Sequence, residues 1–301
     1  MKKLIKYTFK KFGYILVKEK KRSFQKNGES NVLSLYFKLY DRRVVINKHF
    51  FNIGAGAFYH PAWTNVDFNS DWYNINKQKT ESGIQFDLMS LQQLPIETNT
   101  AEVVYSSHTI EHITNEAAQN LFSESYRILK KGGYFRISAP DIDLSYRAYV
   151  ENDRHFFSWI DNYSKDLEIK RINLAKPMDQ ASLPQIFLHH FATSVSTLIT
   201  PESGAPKRIS DEELKNLFSH RSVEDVLNYC VKLCPVEIQK KFPGNHINWW
   251  NKQKILSMLK VAGFKNTYIS GYGQSCCPIL RDIRYFDTTH PAISLYIEAK
   301  K

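Results

Sequence analysis

The chain has 301 residues, of which 43% are hydrophobic, so it can bury the core of one large domain or of a domain with an insertion. No apolar run approaches the ~18 residues that a membrane-spanning helix needs, and Lys6, Lys10 and Lys11 interrupt the apolar stretch that a signal peptide requires. Four cysteines without a regular spacing argue against a disulfide framework and predict a cytoplasmic protein.

The net charge of +11 is concentrated at the amino terminus, where residues 1–22 contain nine lysines or arginines and one glutamate. The nearly neutral remainder argues against a nucleic-acid surface and for a local electrostatic anchor. Apolar residues from Leu4 to Leu16 form one helical stripe opposite the lysines, which is typical of an interfacial helix. Two roles stay open for residues 1–22: peripheral contact with the inner face of the membrane, or docking on the protein's own core. With its polar linker, this arm is predicted to occupy residues 1–44.

In residues 49–67, a strand, a glycine turn and a second strand that ends in an acid follow one another, as in many nucleotide-binding sites. A buried strand over 49–53 precedes Gly54 and Gly56, and a second strand over 63–67 ends in Asp67. Glycines let the backbone approach a ligand closely, and an acid at the tip of the next strand can accept hydrogen bonds from ribose hydroxyls. A tight turn in an ordinary α/β sheet is the competing interpretation of this stretch alone.

The alternation continues with strands predicted over 84–87, 101–106 and 134–139. A helix is predicted to begin after Thr114 and to end with Lys130, Lys131 and Gly132. This alternation of strands and helices predicts parallel strand pairing in a doubly wound sheet, with ligands at the carboxyl ends of the strands.

The rhythm is lost over residues 142–248, which have mostly helical patterns and two capping boxes, Ser210 with Glu213 and Ser222 with Asp225. An interruption this long inside a sheet is usually functional, so we expect a helical cap that takes part in substrate binding. A helix over 249–262 and strands over 266–270 and 292–299 then complete the sheet. The expected core is therefore residues 45–141 together with 249–301.

Four segments together resemble the class I S-adenosylmethionine (SAM)-dependent methyltransferases, in particular a type-11-like branch associated with polysaccharide biosynthesis. The matching segments are NIGAGAFYHPAWTNVD, FDLMSLQQLPIETNTAEVVYSSHTIEH, SESYRILKKGGYFRISAPD, and KILSMLKVAGF with ISLYIEAKK. The resemblance implies a Rossmann-like, seven-stranded α/β sheet whose last strand is antiparallel, with the helical insertion between strands 5 and 6. It also implies transfer of a methyl group to a hydroxyl of a saccharide or lipid-linked glycan.

By the same resemblance, Gly54, Ala55 and Gly56 lie against the amino-acid part of the cofactor SAM, and Asp67 binds its ribose. Asp87 and Leu88 face the adenine, and Ser106 to His108 close the pocket near the methionine moiety. The connection after Gly56 departs from the common pattern, since Pro61 prevents a full-length helix there.

A hydroxyl acceptor calls for a general base. The candidates for catalysis are His108, Asp141 and His189. Asp141 follows the fifth strand at the ligand edge, where it can act as a base or bind substrate, and His108 can line the pocket. Each has a structural alternative, above all His189, which lies in the apolar run IFLHHF, where a core histidine is common.

No metal is expected from the cysteines. The pair Cys230 and Cys234 has no matched second pair, and the adjacent Cys276 and Cys277 cannot readily place both sulfurs on one ion.

Two other functions remain open. A non-catalytic binding or scaffold protein could use the same fold, because fold alone does not define function. A nicotinamide-dependent reductase is suggested by Tyr126 and Lys130, but that pair lies on the helix before the fifth strand and not on the one after it.

Overall fold

A computed structural model describes residues 32–68, 83–157 and 173–301. The chain divides into two units, Met1–Leu39 and Tyr40–Lys301, of which the first contains helix α1 (Ser34–Leu39). The predicted amphipathic helix over residues 1–22 lies outside the described residues, so its membrane role stays a prediction.

The second unit contains a seven-stranded sheet with the spatial order β3-β2-β1-β4-β5-β7-β6. The strands are β1 (Phe50–Ile53), β2 (Trp63–Asp67), β3 (Ile84–Gln85), β4 (Ala101–Ser107), β5 (Leu129–Pro140), β6 (Asn266–Ser270) and β7 (Ser294–Lys300). Strands β1 to β5 pair in parallel, whereas β7 is antiparallel to both β5 and β6. The predicted doubly wound sheet with an antiparallel last strand is confirmed.

The described helices of this unit fall between the strands and in the long insertion after β5. They are α2 (Arg42–Ile46), α3 (Asn115–Ile128), α4 (Ile142–Val150), α5 (Leu183–Phe191), α6 (Asp211–His220), α7 (Val223–Lys232), α8 (Val236–Lys241) and α9 (Lys252–Val261). The predicted N-caps are present, since the hydroxyls of Ser210 and Ser222 accept hydrogen bonds from the N–H groups of Glu213 (3.0 Å) and Asp225 (3.2 Å).

The predicted C-terminal end of α3 and the predicted start of α9 are wrong. Helix α3 ends at Ile128, so Lys130, Lys131 and Gly132 belong to β5. The N–H of Thr100 donates to the Ile128 carbonyl (2.8 Å), and Lys130 pairs with Glu102, so contacts with the neighbouring strand end this helix. Helix α9 begins only at Lys252, three residues later than predicted, because Asn251 caps it.

Two apolar cores fill this unit. One lies between the sheet and helices α3 and α9 and includes Phe122, Phe135 and Trp250. The other joins the helices of residues 142–248 and includes Phe187 and Trp249. We keep this helical region as the proposed cap. Within the residues that the structure describes, no helix is both long and apolar enough to cross a bilayer.

Acid is expected to destabilise this fold, because burial lowers the pKa of several histidines. The pKa falls to about 4 at His60, to about 4 at His189, to about 3 at His190 and to about 4 at His290. Between pH 6.5 and about 4, these side chains bind protons in the unfolded chain and not in the folded one. The free energy of unfolding therefore falls with falling pH across that window.

The measurement is urea unfolding at pH 7, 6 and 5. His189→Gln should reduce the pH slope by about one proton, which corresponds to ~1.4 kcal/mol per pH unit. His220→Gln, at an exposed histidine, should leave the slope unchanged. A wild-type stability that is flat between pH 7 and 5 would contradict the prediction.

Candidate active site

A cavity of about 800 Å³ opens at the carboxyl ends of β1, β2 and β4. Its wall includes Gly54, Ala55, Gly56, Asp67, Asp87, Leu88, His108, Thr109 and His112. Small-molecule sites in proteins have volumes of roughly 300–1,000 Å³, so the cavity has room for a nucleoside and part of a second ligand. Of the predicted cofactor residues, only Ser106 is absent from this wall.

Two glycines form the floor of the cavity. Gly54 has a φ of +72°, and a Cβ there would lie 2.2 Å from Thr109 Oγ1, so the position requires glycine. Gly56 has a φ of +53°, and a Cβ there would meet no atom within 4 Å. The backbone at Gly56 therefore faces open space, which is the surface that a bound cofactor can approach.

The two predicted acids lie along the same wall. Asp67 Oδ2 accepts a hydrogen bond from the Gly56 N–H (2.6 Å), and Oδ1 accepts one from the Phe68 N–H (2.7 Å). These bonds hold the carboxylate at the tip of β2. Asp87 Oδ1 accepts from the Met89 N–H (2.9 Å), which starts the 3₁₀ turn Leu88–Ser90 and places Leu88 and Met89 on the cavity wall.

Ser106 is buried away from the cavity, and Ser107 takes its place on the wall. Successive side chains of a strand point to opposite faces of the sheet, so only one of the two can face the ligand. Ser107 Oγ accepts a hydrogen bond from Ser138 Oγ (2.7 Å), which ties this point of β4 to β5.

His108 lies where the chain leaves β4, in a left-handed conformation with a φ of +51°. This conformation is uncommon for a residue other than glycine, and it turns the chain sharply at the end of β4. His108 Nδ1 lies 3.1 Å from Glu111 Oε1, and Nε2 lies 2.7 Å from Ser294 Oγ. Glu111 itself is fully buried in the 3₁₀ turn Ile110–His112.

The charge state of Glu111 follows from its neighbours. Burial alone would raise the pKa of this carboxyl group, but the nearby imidazoles of His108, His112 and His246 outweigh burial and lower the pKa to about 2. Glu111 is therefore a carboxylate at neutral pH, and it favours a proton on His108 Nδ1. With Nδ1 protonated, Nε2 of His108 is the nitrogen that can accept a proton, and its contact in this structure is Ser294 Oγ (2.7 Å).

The other two catalytic candidates do not line the cavity. Asp141 is the N-cap of α4, where its Oδ1 accepts from the Asp143 N–H (3.0 Å), and burial raises its pKa. His189 lies in α5 within the helical region. Of the three candidates, the structure brings only His108 to the cofactor loop.

Part of the cavity wall comes from segments that we did not predict. Gln239, Lys240 and Pro243 contribute from α8 and the turn after it, and Arg284, Tyr285, Thr288 and Thr289 contribute from the connection between β6 and β7. A long Gly- and Cys-containing loop beside the last strand was the only sequence signal for the second group.

A buried ion cluster holds that loop in place. The Arg136 guanidinium, fully buried, donates from Nη2 to Asp287 Oδ2 (2.6 Å) and from Nη1 to Glu298 Oε1 (2.9 Å). Asp287 Oδ2 also accepts from the Gly273 N–H (3.0 Å). Because Asp287 precedes Thr288 and Thr289 directly, this cluster positions one wall of the cavity.

Comparison with known protein families gives a match that runs from the end of β1 into β5. A family described as "Methyltransferase domain" matches residues 53–137, a range that includes the glycine loop, Asp67, Asp87 and His108. No curated protein matches the chain.

Solved structures that align with the chain include SAM-dependent methyltransferases. One is a protein from Thermotoga maritima with 12% identity and a TM-score of 0.38; the alignment covers 90% of this chain and 99% of that one. A protein from Mesorhizobium loti has 12% identity and a TM-score of 0.38, with 84% of this chain and 90% of that one covered. A protein from Archaeoglobus fulgidus has 13% identity and a TM-score of 0.37, with 91% of this chain and 93% of that one covered. At TM-scores this low, these similarities support no conclusion about activity.

The family match assigns a methyltransferase domain to residues 53–137, and the strand order agrees with the class I fold that the sequence predicts. The cofactor is S-adenosylmethionine. The residues present fit this group, since the backbone at Gly56 borders open space, the Asp67 carboxylate is held at the end of β2, and the cavity has the required size.

Proposed function

We propose that this methyltransferase transfers the methyl group to a hydroxyl of a saccharide or lipid-linked glycan. The observation on which this rests is the pairing of His108 with the buried Glu111 carboxylate on the cavity wall (3.1 Å). A hydroxyl is a weak nucleophile until its proton is removed, and an imidazole oriented by a carboxylate is a common general base.

The proposed mechanism assigns a separate task to each part of the wall. The Gly54–Gly56 backbone would hold the amino-acid end of SAM, Asp67 would accept from its ribose hydroxyls, and Asp87 with Leu88 would border the adenine. Bound SAM supplies a methyl group on a positively charged sulfur, and loss of that methyl leaves S-adenosylhomocysteine. His108 Nε2 takes the proton of the acceptor hydroxyl, and Glu111 stabilises the imidazolium that results.

The rim of the cavity supports a sugar-containing acceptor. Tyr59, which is 62% exposed, and Tyr285 present aromatic surface on which the apolar face of a sugar ring can pack. Arg284 and Lys240 lie on the same wall and supply positive charge for a phosphate linkage. The basic arm over residues 1–22 supports a lipid-linked form of the acceptor.

His108→Asn tests this proposal. We expect kcat to fall by ~10²–10⁴ with little change in the affinity for SAM, because the base is lost and the cofactor wall is kept. The assay follows transfer of a radiolabelled methyl group from SAM to a panel of nucleotide sugars and lipid-linked saccharides. His220→Asn, at an exposed histidine far along the chain, serves as the matched control.

Two results would contradict the proposal. One is an active protein that methylates amines or thiols and no saccharide hydroxyl. The other is a His108→Asn variant with unchanged kcat and an unchanged pH–rate profile.

A further inference from the structure

Glu111 and His112 meet a third polar side chain from a distant segment of the chain, His246. One ligand atom from each of these residues can be chosen so that all three atoms lie within 4.8 Å of one another. Hydrogen bonds hold the two segments together, since the N–H of Ile247 donates to the Glu111 carbonyl (2.9 Å) and Gln239 Nε2 donates to the His112 carbonyl (2.8 Å). These hydrogen bonds therefore keep the three side chains close together.

Both histidines are oriented by backbone carbonyls. His112 Nδ1 lies 3.0 Å from the Asn245 carbonyl oxygen, and His246 Nδ1 lies 2.7 Å from the His190 carbonyl oxygen. A carbonyl can only accept, so each Nδ1 is protonated and each Nε2 keeps its lone pair. Metal-binding histidines are typically oriented in this way by a hydrogen bond at the nitrogen that does not bind the ion.

The carboxylate of the trio is incompletely paired. Glu111 Oε2 is buried, and it accepts no hydrogen bond from any side chain or backbone group in the described ranges 32–68, 83–157 and 173–301. Leaving a buried charged oxygen without a donor is costly, and such an atom usually marks a missing ion or water. Oε1 is the atom near His108 (3.1 Å) and His112 Nε2 (4.0 Å).

We propose that Glu111, His112 and His246 bind one divalent first-row transition-metal ion. Two imidazoles and one carboxylate form a donor set that suits such ions and leaves coordination positions open for other ligands. Protein ligands on one ion at ~2.1 Å lie about 3–4 Å apart, so the trio reaches binding geometry through small side-chain movements. Glycines and cysteines play no part in this site, which explains why the cysteine spacing did not reveal it.

The position of the ion suggests its role, an assignment that rests on the proposed O-methyltransferase function. His112 lies on the cavity wall beside His108 and Thr109, so an open position of the ion would face the acceptor. An ion bound there would lower the pKa of an acceptor hydroxyl that coordinates it, and His108 would then remove the proton more readily. The substrates expected from this geometry present two adjacent oxygens, as the vicinal hydroxyls of a sugar do.

The test measures metal binding in the full chain without any methyl acceptor. After treatment with a chelator, the wild type is titrated with Co²⁺ alone by calorimetry and visible absorption, and Zn²⁺ is added as a competitor. We expect one equivalent to bind. Glu111→Gln and His246→Asn should each lower the affinity by more than ~100-fold, since loss of even a hydrogen-bonded partner of a ligand costs about 10–100-fold. His220→Asn should bind Co²⁺ like the wild type.

Folding of each variant is checked by its binding of S-adenosylhomocysteine. A crystal of the wild type grown with Co²⁺ tests the metal site without any variant. We expect a peak between Glu111 and His246 in the anomalous difference map. No stoichiometric binding, a peak elsewhere, or ligand variants with wild-type affinity would overturn the proposal. Metal binding without saccharide methylation would refute only the proposed function, whereas methylation without metal binding would refute only the metal site.

Discussion

Replacing Arg136 with leucine is expected to lower the free energy of unfolding by about 3–5 kcal/mol, because the substitution leaves two carboxylates buried without their common partner. Asp287 and Glu298, like Arg136, have fully buried side chains. For a chain of this size the loss corresponds to a decrease in Tm of ~10 °C. Differential scanning calorimetry at pH 7 measures it directly.

Arg284→Leu is the matched control for stability. Its ion pair with Asp282 is largely exposed, with 66% of the Arg284 side chain accessible, and such pairs contribute ~0–1 kcal/mol. Equal Tm values for Arg136→Leu and Arg284→Leu would show that the buried cluster is not what stabilises the loop. A triple variant in which Asp287 and Glu298 are also apolar should recover part of the loss, since the unpaired charges are then removed.

Replacing Asp67 with alanine is expected to weaken the binding of S-adenosylhomocysteine by ~100-fold. A carboxylate that accepts from two ribose hydroxyls contributes about 1.5–3 kcal/mol per hydrogen bond, and ~1.4 kcal/mol corresponds to a factor of ten. The loss has a second source, because Asp67 also accepts from the Gly56 N–H and thereby holds the glycine loop against β2.

Isothermal titration calorimetry with S-adenosylhomocysteine checks this prediction, with NAD as a negative ligand. Asp179→Ala, at an exposed aspartate outside the cavity, should retain wild-type affinity. If folded Asp67→Ala bound the ligand as tightly as the wild type, the assignment of the ribose subsite to the tip of β2 would be wrong. Failure of the wild type to bind at all would favour the alternative of a non-catalytic protein on this fold.

The proposed base and the proposed metal site share Glu111. One carboxylate oxygen lies beside His108, while the other is buried without a hydrogen-bond donor in the described part of the chain. A single buried charge can thus orient the imidazole and bind an ion at the same time. The tests above separate the two roles, because metal affinity is measured without catalysis and the His108 variant leaves the three ligands intact.

The sequence was a good guide wherever a local pattern has one structural outcome. The alternation of elements predicted β1, β2 and the β-branched β4, and hydroxyl N-caps predicted the starts of α3, α6 and α7. Local patterns failed at element ends that depend on distant neighbours. The basic residues Lys130 and Lys131 suit a helix end, but the pairing of Leu129 with Ala101 of β4 starts β5 before them.

Some residues of the candidate site could be predicted from local patterns, and others could not. Gly54, Gly56, Asp67 and Asp87 follow strand ends, and parallel strands bring their carboxyl ends to one edge of a sheet, so their common location could be predicted from the chain alone. The choice between Ser106 and Ser107 could not, because a shift of one residue in strand phase reverses which side chain faces the ligand. Nor could the sequence decide that Asp141 is a helix cap and that His189 stays off the cavity wall.

The amino-acid sequence by itself determined the strand–helix alternation, the glycine loop, the acid at the tip of β2 and the presence of His108 after β4. These features are encoded by neighbouring residues, and local sterics and hydrophobic periodicity suffice to specify them. Only the tertiary structure decided that Arg136 anchors the β6–β7 loop and that His246 meets His112. Those contacts join segments up to about 160 residues apart, and their geometry depends on how the two cores pack, which no local pattern records.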